Sequence, residues 1–275
     1  MLGHQKQYGA LKNDLKVGSL AHTYLFSGPK GIGKFTLAKE FAREILGLAK
    51  ENLLESNIDI SIVCDNGDSL KIEEIKKVCA SAVLSIQEKY KIILIKNIER
   101  LTNEAANAFL KTLEEPNQRV IFILTTSDFQ KVLDTIKSRA RILNFQILSN
   151  EEMKNFAQDF NLEEKLLKKY LFWSAGRPGK FFKFAHDEEY ASLYFEMEEK
   201  LKKFFENKNL SSLWMYLEEL SKEKADVLEF LELWEILAKE KNPKFGHFLY
   251  EAKIRVQGNV NTRLLLENLS MEWKI

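Results

Sequence analysis

The stretch Gly28-Pro29-Lys30-Gly31-Ile32-Gly33-Lys34-Phe35-Thr36 has the residue types and spacing to hold a phosphate. Glycines let successive backbone N–H groups turn inward around an anion, and a helix opening at the end of the loop adds the positive end of its dipole. Gly28, Gly33 and Lys34 match the pattern G-x-x-x-x-G-K, with Gly31 a further flexible point between them. The pattern next asks for Ser or Thr, whose hydroxyl holds Mg²⁺, and Phe35 stands there instead. Thr36 follows one place later, and one residue along a helix is a rotation of ~100°, enough to aim its hydroxyl elsewhere. The loop therefore has the parts to bind a nucleotide and lacks a part needed to hydrolyse one. Lys34 is open to two readings: a phosphate partner, or a lysine bound to a carboxylate or water.

Hydrolysis also requires carboxylates at the end of a neighbouring strand, one to help hold Mg²⁺ and another to position water. The candidate strand ends Leu94-Ile95-Lys96-Asn97-Ile98-Glu99-Arg100, so Lys96 and Asn97 occupy the places of Asp and Glu, and Lys96 puts a cation where the metal belongs. Glu99 lies two residues late and needs a shifted backbone to substitute. Two Mg²⁺-handling positions thus fail together, and no metal ligands are assigned.

Two arginines stand out. Arg139, in Ser138-Arg139-Ala140, falls at a helix-to-strand junction on the rim of a sheet, from which it can reach a neighbouring molecule. Its planar fork of donors suits charge on a transferring phosphate, and a plain surface arginine is the competing reading. Arg177, in Ala175-Gly176-Arg177-Pro178-Gly179, falls at a helix N-terminus, where it either joins the dipole in attracting an anion or pairs with a carboxylate. His4 and His22 have no metal-ligand spacing and read as packing or hydrogen-bonding residues. Cys64 and Cys79 form no C-x-x-C pair, which fits a reducing compartment and excludes a four-cysteine zinc module.

These residues need elements to position them. Helical spacing of Tyr8, Leu11 and Leu15 predicts a helix over about 4–17; residues 21–27 read as the first buried strand; Leu37, Phe41 and Ile45 share a helix face that ends near Gly47. Residues 48–57 read as a surface connection. Period-two alternation from Ile58 to Cys64 predicts a second strand, and Asp65-Asn66-Gly67-Asp68 is turn chemistry. Ile72, Ile75, Val78 and Ala82 give a helix with one apolar face. The unbroken runs Ile92–Ile95 and Val120–Thr126 suit central parallel strands covered on both faces. A helix from Asn103 to Glu114, stopped by Pro116, lies between them; a helix over Lys131–Lys137 and a closing strand over Ile142–Phe145 follow.

After about residue 149 strand signals stop. Ser149 with Glu151 and Glu152 resembles a helix start; further helices are predicted over Leu162–Trp173 and Pro178–Ala185, and helix upon helix from 187 on, with Gly258-Asn259 separating the last two. Leu193, Met197, Leu201 and Phe204 are assigned one face, and Leu228, Leu231, Trp234 and Leu237 another. The pairs Phe181-Phe182 and Phe204-Phe205 read as helix core rather than base-stacking platforms. The outline is an α/β nucleotide-type domain with a parallel sheet (1–148), a small helical domain (149–187) and a larger all-α domain (188–275). Four prolines and twelve glycines in 275 residues agree with a helix-rich chain. A net charge of +1, from 41 basic and 40 acidic residues, provides no global field for nucleic acid, so any DNA contact is local or shared with partners. No membrane-spanning run and no signal-peptide core appear, and the chain reads as cytoplasmic.

Taken together, several stretches resemble the AAA+ subunits of the bacterial sliding-clamp loader: Gly3-His4-Gln5, Leu20 through Pro29, Leu70 through Lys76, and most specifically Asn107-Ala108-Phe109-Leu110-Lys111-Thr112-Leu113-Glu114-Glu115-Pro116. Ser138-Arg139-Ala140 is similar to the family's Ser-Arg-Cys element with Ala140 replacing Cys, Gly176 to Gly179 to its sensor-2 segment, and Asn259 to Leu269 to the end of its collar. Within the family the chain resembles the delta-prime type of DNA polymerase III, since the motor subunits (gamma/tau) carry an intact Mg²⁺ site and usually a zinc module. The resemblance implies a hetero-pentameric ring with three motor subunits and one delta subunit, which sets the sliding clamp on primed DNA. It implies Arg139 as an arginine finger in the neighbour's ATP site, and Gly28, Gly31, Gly33, Lys34, Thr36 and Arg177 as a degenerate nucleotide site. No cofactor is required, and ATP or ADP bound without turnover is compatible with it. The alternatives are an active ATPase subunit with a Mg²⁺ site rebuilt from Thr36 and Glu99, a stand-alone P-loop kinase or NTPase, and a binding module with a vestigial loop.

Overall fold

The computed structural model describes residues 3–49, 53–64, 70, 72–83, 87–114, 117–207, 209–256, 258 and 260–273. The turn assigned to residues 65–68, the stop at Pro116, and Lys71, Glu115 and Asn259 of the family-like stretches lie outside them. The chain divides into two compact units, residues 1–181 and 182–275.

In the first unit five parallel strands form one sheet in the order β2-β3-β4-β1-β5: β1 Thr23–Ser27, β2 Ile60–Val63, β3 Lys91–Ile95, β4 Val120–Thr126 and β5 Arg141–Asn144. Every residue of β1, β3 and β4 is buried. That is the expected fate of unbroken apolar runs in a sheet covered on both faces. Alternate side chains point to opposite layers. Tyr24, Phe26, Ile92, Leu94, Ile121 and Ile123 meet α1 (Gln5–Val17) and α2 (Lys34–Leu46) through Leu11, Leu37 and Phe41. Leu25, Ile93, Ile95, Phe122 and Leu124 meet α3 (Ile72–Val83), α4 (Asn103–Glu114) and α5 (Asp134–Lys137) through Ile75, Val78, Phe109 and Ile136.

Three helices follow β5: α6 Asn150–Ala157, α7 Glu164–Ser174 and α8 Pro178–His186. The start anticipated at Ser149 is a complete capping box, with Ser149 Oγ accepting from the Glu152 N–H and the Glu152 carboxylate accepting from the Ser149 N–H. The helix expected over Lys131–Lys137 is only the four-residue α5. Leu133 before it is extended (ψ 137°), and a 3₁₀ turn over Phe129–Lys131, capped by the Asp128 carboxylate, uses the first part of the stretch.

Among its described residues the second unit has helices and no strand: α9 Glu188–Asn207, α10 Leu210–Leu220, α11 Lys224–Lys241, α12 Gly246–Val256 and α13 Thr262–Glu272. Met197, Leu201 and Phe204 of α9 are buried as expected, and Tyr194 rather than Leu193 completes their row. α11 departs from the single apolar face assigned to it. Val227, Phe230, Leu231, Leu233, Trp234 and Ala238 are all buried, whereas Leu228 and Leu237 are only half-buried. A helix buried on several sides has no strong face contrast, and Trp234 is at its centre, in ring contact with Phe204, Phe230, Phe245 and Trp273. Phe181, Phe204 and Phe205 are core residues, but Phe182 is half exposed and stacks on His186 at 4.0 Å.

Candidate functional site

The loop that opens α2 is shaped by close backbone approaches. A Cβ at Gly28 would lie 2.3 Å from the Phe145 carbonyl oxygen, so only glycine lets β1 leave the sheet beside β5 there. Gly33 enters α2 at φ 93°. The loop carbonyls are bonded within the chain. Lys34 Nζ donates to the carbonyls of Gly28 and Pro29, each at 2.6 Å, and to Ser127 Oγ at 3.4 Å. The Gly31 carbonyl accepts from the Gly179 N–H at 2.8 Å, and the Ile32 carbonyl from His4 Nε2 at 2.8 Å. The partners of Lys34 are thus the loop's own carbonyls, which neither reading of it named. Burial pushes its pKa down to about 8; Glu99 acts in the opposite direction and Arg177 adds to the fall.

Phe35, half-buried, has Lys39 Nζ 5.6 Å and Lys96 Nζ 5.8 Å from its ring centroid, within cation–π range. The two substitutions noted in the sequence therefore meet in space. Mg²⁺ takes oxygen ligands in an octahedral shell; a phenyl ring flanked by two ammonium groups offers none, so these residues do not fit the ion. Thr36 is exposed on the first turn of α2. Among the described residues no three His, Cys, Asp or Glu side chains gather as a metal-binding group.

Glu99 reaches the site through the backbone shift its position requires. Asn97 adopts a left-handed conformation (φ 56°), which Asn tolerates, and turns the chain into the 3₁₀ stretch Ile98–Arg100. Glu99 Oε1 then accepts from the Ser127 N–H at 2.9 Å, joining the ends of β3 and β4 beside Lys34. The backbone shift required of Glu99 is thus present, but its carboxylate braces a strand end. Arg177 is half-buried with Cβ and Cδ beside Gly31, close enough for its charge to act on Lys34. Lys34, Glu99, Arg177 and the glycines are thus brought together. Ser127 and His4 also belong to this group, and neither was assigned to it. Ser127 directly follows a strand legible in the sequence, whereas no local signal links His4 to Ile32.

Arg139 is elsewhere and different in kind. It follows α5, exposed, with Nη1 donating to the Thr135 carbonyl at 3.1 Å and Nη2 to Glu114 Oε1 at 3.2 Å. Ala140, in place of the family's Cys, packs against the core beside it. Two residues on, Arg141 pairs with buried Asp14, which also accepts from the Tyr24 hydroxyl at 3.1 Å. This network ties α1, β1 and the start of β5 together.

An all-parallel sheet with a glycine loop after β1, followed only by helices among the described residues, defines an α/β protein of the P-loop class. Residues 3–149 match the family described as DNA polymerase III, delta subunit, and the chain belongs to that family, as the clamp-loader resemblance of its motifs implied. It is similar to DNA polymerase III subunit gamma of Buchnera aphidicola subsp. Acyrthosiphon pisum, 30% identical over 179 residues covering 60% of this chain and 50% of that protein. It is also similar to DNA polymerase III subunit tau of Escherichia coli, 29% identical over 180 residues covering 60% of this chain and 28% of that protein. The chain thus spans about half the length of the gamma relative and less of tau. In structure it resembles a DNA polymerase III gamma-subunit-related protein from Thermotoga maritima, with TM-score 0.63 and 18% identity over 95% of this chain and 97% of that one. Among the described residues no helix is long and apolar enough to cross a membrane.

Proposed function

We propose that this chain is a delta-prime-type clamp-loader subunit, which does not turn over ATP and supplies Arg139 to the ATP site of a neighbouring gamma/tau-type subunit. The observation that carries the reading is the meeting of Phe35, Lys39 and Lys96 where Mg²⁺ would be held. Supporting it, Lys34 bonds to its own loop, while Arg139 is exposed at the rim of the sheet. An arginine supplied in trans is worth ~10³–10⁵ in rate at a phosphoryl-transfer site. In this role the chain joins motor subunits and a delta subunit in a cytoplasmic hetero-pentamer that loads the sliding clamp on primed DNA. Residues 1–148 form its AAA+ domain, 149–187 its lid and 188–275 its collar. The role needs no cofactor, and ATP or ADP held by Gly28, Gly31, Gly33, Lys34, Thr36 and Arg177 would stay unhydrolysed. The test is Arg139→Ala in a reconstituted loader: clamp- and DNA-stimulated ATP hydrolysis falls if the reading is right and stays at the wild-type rate if it is wrong.

A gamma/tau-like ATPase is the second reading, favoured by the names of the relatives and by the position of Glu99 beside Lys34. It requires Thr36 and Glu99 to build a Mg²⁺ site. Thr36 is exposed and one Glu99 oxygen is engaged by the Ser127 N–H. Mg²⁺-dependent ATP turnover by the purified chain, abolished by Lys34→Ala, would establish this reading over the first.

A further inference from the structure

The Arg139 side chain is exposed and yet held. Nη1 donates to the Thr135 carbonyl at 3.1 Å and to Ser138 Oγ at 3.4 Å, both from the same turn of chain. Nη2 donates to Glu114 Oε1 at 3.2 Å, a contact from the last turn of α4, 25 residues earlier in the chain. The backbone on both sides is anchored: Leu113 and Ile136 are buried, and Ala140 packs against the same core cluster. An arginine has many rotamers, and fixing one before a partner arrives removes that ordering cost from the binding step. A guanidinium has five N–H donors, so the three contacts leave others for an incoming anion.

We propose that Glu114 is a positioning residue for Arg139: its carboxylate holds the guanidinium in the orientation that meets a neighbour's phosphate. The inference rests on the arginine-finger reading above. Both side chains of the pair are more than a third exposed, 37% and 54%, and such pairs are individually weak. The effect of Glu114 is therefore small beside that of Arg139 itself.

The test is a double-mutant cycle on steady-state ATP hydrolysis by the reconstituted loader, with clamp and primed DNA present and assembly checked by size-exclusion chromatography. Glu114→Ala lowers the turnover number about threefold, an effect of the size expected for an exposed pair, and leaves KM for ATP unchanged. Glu114→Gln, which keeps an acceptor oxygen at the same reach, recovers most of the loss. In an Arg139→Ala background, Glu114→Ala has no further effect. A second, additive loss in that background would make Glu114 a structural residue of α4, and a rise in turnover would make it a competitor of the phosphate; either overturns the proposal. If Arg139→Ala lowers turnover and Glu114→Ala does not, positioning alone fails. If Arg139→Ala changes nothing, the finger reading fails and positioning falls with it.

Discussion

Lys34 and Arg139 are both cations of the kind that meet phosphates, and the fold treats them oppositely. Lys34 is 6% exposed, with its ammonium turned onto the carbonyls of its own loop. Arg139 is on the surface, tied through contacts that leave donors unused. A buried ammonium bonded to backbone carbonyls is part of the architecture, because a change there leaves buried acceptors without donors. An exposed arginine costs the fold little and is available to another molecule. The comparison predicts that changes around Lys34 are read in stability and changes at Arg139 in a partner's chemistry.

The largest expected effect is at the start of the loop. Gly28→Ala places a Cβ 2.3 Å from a backbone oxygen that has no side chain to move aside, and lowers unfolding free energy by at least about 3 kcal/mol, read from the urea midpoint. Next comes the pH dependence of Lys34. Its folded pKa of about 8 lies below the ordinary 10.5, so between these values the unfolded chain binds more protons and stability rises with pH. Wild-type stability, measured against Lys34→Met at each pH, climbs from pH 8 to 10.5 by at most about 3 kcal/mol and is flat below. A flat profile over that range, with a fall only above pH 10.5, would put Lys34 in a favourable ion pair rather than a desolvated pocket.

A smaller effect belongs to the contact between Gly31 and α8. Gly179→Ala brings a Cβ within 2.8 Å of the Gly31 oxygen, costs about 1–2 kcal/mol and speeds amide hydrogen exchange at the start of α8. The smallest is Arg139→Ala, which changes the stability of the isolated chain by less than about 0.5 kcal/mol in urea unfolding. A larger loss would make Arg139 structural and remove the contrast with Lys34.

Much of this arrangement was legible in the sequence, and the parts that were not share a cause. The runs Ile92–Ile95 and Val120–Thr126, the glycine loop and Ser149 carry local signals, and each became the element it announced. α11 concealed its burial because periodicity registers the contrast between two faces, and a helix enclosed on several sides has little. Phe182 was assigned to a core that its neighbour Phe181 enters, while its own side of the helix is exposed. At the loop, Phe35 and Lys96 were visible as substitutions, but their approach through one ring is a tertiary fact. So are His4 on Ile32, Gly179 on Gly31 and Glu114 on Arg139: each joins residues at least 25 apart, and no spacing rule reaches that far. Glu99 depended on a single backbone event, the left-handed turn at Asn97.

The contrast between the two cations is tested most directly by comparing Lys34→Ala and Arg139→Ala in the same reconstituted loader, with ATP hydrolysis measured in the presence of clamp and primed DNA. Arg139→Ala is predicted to cut hydrolysis at the adjoining site by about 10³-fold, while Lys34→Ala, once assembled, hydrolyses at the wild-type rate. The reverse pattern, with Lys34→Ala defective and Arg139→Ala unaffected, would place ATP chemistry in this chain's own loop and contradict the proposal.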